Sequence, residues 1–119
     1  MLFWGKKPKI MPEPELTREE IGELVDESIK FAKIYANDGN VSGMEMAFQD
    51  AIKQGRKIGR SFDSTEIAKI KLMGYERGEK LMRERANEFK NAGRLNEAQN
   101  AFMLAESYGN EAILLKKTL

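Results

Sequence analysis

Lys80, Arg83, Asn87, Lys90 and Asn91 follow one another at spacings of three, four, three and one. On a helix this spacing gathers them near one face. Lysine, arginine and asparagine are hydrogen-bond donors suited to carboxylates and peptide carbonyls. Glu76, Glu84 and Glu88 interleave with them, so the same stripe also reads as an ordinary solvated face. Lys53, Arg56, Lys57 and Arg60 form a second group of cations. They suit either the negative end of a helix dipole or a phosphate. Glu13, Glu15, Glu19, Glu20, Glu23, Asp26 and Glu27 cluster before and within the first helical pattern. There they complement the positive end of the dipole, and no calcium-loop spacing with its turn glycine accompanies them.

The chain contains no cysteine and no histidine. That removes disulfides, thiolate metal sites and cysteine nucleophiles, together with the commonest general base and transition-metal ligand. No phosphate-binding glycine loop, nucleophile elbow or zinc-ligand spacing is present. The expectation is a non-enzymatic protein with no cofactor and no metal. A length of 119 residues fits one domain, and 41% apolar with 33% charged residues supports a modest core. The net charge of +1 gives no bulk attraction to nucleic acid or anionic membrane.

Helical patterns account for the chain from Thr17 onward. Residues 1–16 read as a tail with an apolar start, Met1-Leu2-Phe3-Trp4, then Lys6, Lys7 and Lys9 and all three prolines. The apolar run is too short for a signal peptide or a membrane span, so a cytoplasmic protein is expected. The tail either folds back to bury Phe3 and Trp4 or serves as an arm that inserts them elsewhere. Thr17-Arg18-Glu19-Glu20, Ser42-Gly43-Met44-Glu45 and Asp63-Ser64-Thr65-Glu66 are capping boxes that predict three helix starts. After Asp63 nothing breaks the pattern until Ala92, which predicts a third helix of about 28 residues, long against the usual 11–12. Its first half carries Ile70, Met73 and Tyr75 on more than one side. Those three are predicted to contact the first helix or to form a homodimer contact. A fourth helix is expected over about Leu95–Tyr108. Gly109-Asn110 reads as a stop, and residues 110–118 as a short capping helix.

Ala86–Ala105 organises the rest. Ala86 and Phe89 share one helical face, Gly93 suits a left-handed turn, and Ala98, Phe102 and Ala105 share a face of the next helix. Ala32, Tyr35, Gly39, Val41, Ala47, Phe48 and Ala51 echo the same series 54 positions earlier, at Ala86, Phe89, Gly93, Leu95, Ala101, Phe102 and Ala105. This series resembles the tetratricopeptide repeat through Ala86, Phe89, Gly93, Ala98, Phe102 and Ala105. The earlier copy has Met44 where a small residue belongs. The period of 54 departs from the ~34 of that family, as do the missing closing proline and the missing early aromatic.

The resemblance implies an all-α fold of two tandem helical hairpins in a right-handed array, hairpin one at about 17–60 and hairpin two at about 64–109, forming one domain over 17–119. It also implies a protein–protein interaction module whose groove is lined by Lys80, Arg83, Asn87, Lys90 and Asn91. The bound partner would be a peptide or protein anchored by an acidic side chain or a C-terminal carboxylate. The alternative is a nucleic-acid-binding or regulatory subunit that uses the basic helix faces.

Overall fold

The computed structural model describes residues 15–119. The Phe3–Trp4 run lies outside them. Among the described residues the structure is all α, with four helices and no strand: α1 Arg18–Asn37, α2 Val41–Lys57, α3 Ser64–Asn91 and α4 Leu95–Thr118. Helix α1 packs along α2, α3 packs along α4, and α3 also crosses both α1 and α2.

The helix starts follow the local chemistry. Thr17 Oγ1 accepts the Glu20 amide at 3.1 Å, and Glu20 Oε1 accepts the Thr17 amide at 3.2 Å, a complete capping box. Asp63 Oδ1 accepts the Thr65 and Glu66 amides at 2.9 and 3.3 Å. The expected start of α2 at Ser42 is displaced. Asn40 is the cap, its Oδ1 accepting the Gly43 amide at 2.9 Å. The reason is the tight turn before it. Gly39 has φ of +74°, a conformation that costs glycine little, so α1 reverses into α2 within three residues. Gly93, at φ +77°, makes the same reversal between α3 and α4.

The main core lies where the first half of α3 crosses α1 and α2. It joins Ala32, Ala36, Val41, Met44, Phe48, Ile70 and Tyr75, with Ala112 entering from α4. A side-chain carbon at Gly74 would overlap the Met44 sulfur and lie 3.3 Å from the Ala36 Cα. The helices therefore approach more closely than any larger residue permits. Polar ties surround the crossing. Arg77 Nη1 donates to the Asn37 carbonyl and to its Oδ1, both at 2.8 Å. Helix α1 has no basic residue in its own last turn, so a cation from α3 takes the carbonyl end. Lys71 Nζ lies 3.2 Å from Glu45 and Lys33 Nζ 3.6 Å from Glu66.

These bonds and close approaches between α3 and the first two helices fall between Glu66 and Gly78. Beyond them α3 and α4 continue as a pair with a seam of small residues, Ala86 against Ala98, Ala101 and Ala105, all buried. The molecule is elongated, with extents of 68 × 40 × 19 Å and a radius of gyration of 20.6 Å. A compact chain of this length would have about 13–14 Å.

Two further expectations change. The fourth helix does not stop at Tyr108, and residues 110–118 are not a separate capping helix. Helix α4 is continuous to Thr118. Gly109 sits inside it because the Glu79 carboxylate lies against that position, where a Cβ would be 2.9 Å away. Phe102 is not a seam residue. It is 38% exposed, and the seam of α4 belongs to its alanines. Ile70 and Tyr75 are buried within a single chain, with Met73 packed beside them. Ile70 and Tyr75 thus belong to the cluster that α3 forms with α1, α2 and α4, while half-buried Met73 also borders the surface.

Candidate functional site

The five donors singled out by spacing all sit on the C-terminal half of α3, and all five are exposed. Helix α3 positions them by its unbroken run. Its seam side is fixed against α4 through Ala86, and Arg83 lies near that seam, bonded to the Glu79 carboxylate that packs against Gly109 of α4. Arg83 is already engaged. Its Nε and Nη2 donate to Glu79 Oε2 at 3.0 and 2.7 Å. The pair is one turn apart, with Arg83 half exposed and Glu79 partly covered by α4, and such helical pairs contribute a few tenths of a kcal/mol to ~1.

The stripe does not end at Lys80. That residue also borders a shallow open cleft of about 530 Å³ lined by Lys69, Leu72, Met73, Glu76, Arg77 and Lys80. Together they form one continuous surface along α3, donors at one end and partly apolar at the other. Lys116 Nζ, from the end of α4, lies 3.2 Å from Glu76 and adds another cation beside it.

The second cationic group is placed differently. Arg60 is tied to Asp26 at 2.7 Å, and its guanidinium lies 5.8 Å from the centre of the Phe62 ring. It joins the α2–α3 connection to α1. Arg56 and Lys57 occupy the last turn of α2, where they meet the negative end of the dipole.

Two features were hidden from spacing. The first is a cleft of about 310 Å³ between α1 and α2, lined by Ser28, Phe31, Tyr35, Gly43, Met46, Ala47 and Asp50. Ser28 Oγ donates to Asp50 Oδ2 across it at 2.8 Å. Phe31 comes from α1 and Met46 from α2, so only tertiary packing brings them to one cleft. The second is the group around Tyr75. Burial pushes its phenol up to about 12, and the nearby Glu45 carboxylate adds to the shift. The Tyr75 and Tyr108 rings meet edge to face, 5.8 Å apart. A neutral phenol in this position strengthens packing and performs no proton transfer near neutral pH.

Among the described residues no cluster of three or more carboxylates is placed to hold a metal ion. No described helix is long and apolar enough to cross a membrane. No family model, no curated protein and no solved structure matches this chain.

Proposed function

We propose that this protein is a non-enzymatic interaction module of tetratricopeptide-like design, two tandem helical hairpins that bind a peptide or an extended protein segment along α3. The observation that carries the reading is the exposed run of donors Lys80, Arg83, Asn87, Lys90 and Asn91, continuous with the partly apolar cleft beside Leu72 and Met73. Arg83 would hold a carboxylate in a two-point contact after exchanging with Glu79, and Asn87 would bind the adjacent backbone. Lys80 and Lys90 would steer the encounter, since exposed charges raise association rate more than affinity.

Peptides that end in a free carboxylate and carry an acidic residue test this reading. Arg83→Ala should weaken binding about tenfold, ~1.4 kcal/mol. Lys53→Ala, an exposed cation on α2, should leave it unchanged. Glu79→Gln should tighten binding, because it frees Arg83 without removing a donor. Equal affinities for all four proteins would reduce the stripe to a solvated face.

A further inference from the structure

We propose that the cleft between α1 and α2 is the docking site of this chain's own residues 1–11, with Phe3 and Trp4 seated against Phe31 and Met46, and Lys6, Lys7 and Lys9 meeting the acids beside them. The inference does not rest on peptide binding by α3.

The argument starts from an exposed face of α1. Glu20, Leu24, Glu27, Phe31 and Ile34 follow one another at spacings of four, three, four and three, which makes them one row along the helix. All five are exposed. Phe31 and Ile34 are 47% and 49% exposed, large apolar side chains left half in water. The row begins in the first turn of α1 and leads to the cleft, where Phe31 and Tyr35 meet Met46, Ala47 and Asp50 of α2. The Tyr35 ring lies against Gly43, where a Cβ would be 2.8 Å away. Met46 is 67% exposed. Ser28 Oγ donates to one oxygen of Asp50 at 2.8 Å, and the carboxylate keeps acceptor sites for a lysine. Lys30 and Lys53 flank the row, but none of its own members is basic.

Residues 1–11 are the chemical complement of that track. Lys6, Lys7 and Lys9 are their only charged side chains, and Leu2, Phe3, Trp4, Ile10 and Met11 are apolar. Acids interleaved with apolar groups on α1 therefore face cations interleaved with apolar groups, a pairing that fixes partner and register. The reach is sufficient. The segment joins α1 at the end where the row begins. Phe31 lies 14 residues beyond Thr17 along α1, about 21 Å at the helical rise. Trp4 lies 13 residues before Thr17, and an extended chain of that length spans up to about 43 Å. The cleft, about 310 Å³, is at the small end of ligand pockets and suits aromatic side chains. A tethered segment meets its site at about millimolar effective concentration, so modest contacts suffice.

The test is the fluorescence of the full chain, in which Trp4 is the single tryptophan. Its emission should be blue-shifted, and its quenching by acrylamide severalfold weaker, relative to the same chain unfolded in guanidinium. Both readings should hold from low to high micromolar protein. Phe31→Asn combined with Met46→Asn should return them to the unfolded values with unchanged helical circular dichroism, since both side chains are exposed. Lys6→Glu, Lys7→Glu and Lys9→Glu together should free Trp4, and adding Glu27→Lys and Asp50→Lys should restore its burial. That rescue separates docking from a disturbed helix pair. Met103→Glu combined with Ile113→Glu, on α4, should change nothing. A parent whose Trp4 is quenched as in the unfolded chain overturns the proposal. So does a charge reversal without rescue, or an α4 variant that frees Trp4. Burial that appears only as concentration rises overturns it too, because the occupant would then be a second copy.

Discussion

Phe48 and Phe102 show how one residue type at corresponding positions takes on different work. Phe48 is almost fully buried beneath α3, with the Lys71 ammonium 5.7 Å from its ring centre. Phe48→Ala should cost about 3–5 kcal/mol, the usual range for removing a core aromatic. Phe102→Ala should cost roughly 1–2 kcal/mol when measured on the monomer, since much of the ring is already hydrated. Chemical denaturation of both variants checks the difference, and equal losses would mean that Phe102 is covered within the single chain. Tyr75 gives a prediction in pH. Its folded phenol titrates near 12 against an ordinary 10. The unfolded chain therefore loses this proton first. The stabilising contribution is complete below pH 10 and is lost as pH rises toward 12. Lysines also titrate in that window, so the informative quantity is a difference. Between pH 9 and 12 the parent should lose on the order of 2 kcal/mol more stability than Tyr75→Phe.

At the scale of elements, caps were more legible than ends. The threonine and aspartate caps of α1 and α3 could be read directly, because a cap is a contact between residues three positions apart. The start of α2 was misread by two positions, since Asn40 caps only once Gly39 has turned the chain. The extent of α4 was not legible at all. Gly109 looks like a stop from its neighbours, but it is a helical residue whose missing side chain makes room for Glu79 of another helix. The direction of the α3 donor stripe was readable from spacing alone, whereas the α1–α2 cleft needed Phe31 and Met46 to be brought together by tertiary packing. Glycines divide in the same way. Gly74 lies at the tightest crossing, so Gly74→Val should cost about 1–3 kcal/mol through overpacking. Gly22 has open space around it inside α1. Gly22→Ala should stabilise the protein by about 0.5–1 kcal/mol. Thermal unfolding of the two variants should move in opposite directions.

At the scale of the molecule, the α3 crossing divides the chain. One end is a three-helix core completed by the last turns of α4, and the other is a two-helix extension held by alanines. An alanine seam allows close approach but buries little apolar area per residue, so the extension depends on its connection to the core. Its two outer surfaces differ in chemistry. The α3 side is rich in donors and suited to a polar, carboxylate-bearing chain. The α4 side is poor in charge and exposes Leu95, Met103, Ile113 and Leu114. The most direct measurement of the central reading is an amide-resolved NMR titration with a peptide ending in a free carboxylate. The account predicts shifts concentrated at Lys80, Arg83, Asn87, Lys90 and Asn91, extending toward Met73, with α2 unaffected. Shifts centred on Lys53–Arg60, or on the cleft between Phe31 and Met46, would contradict it.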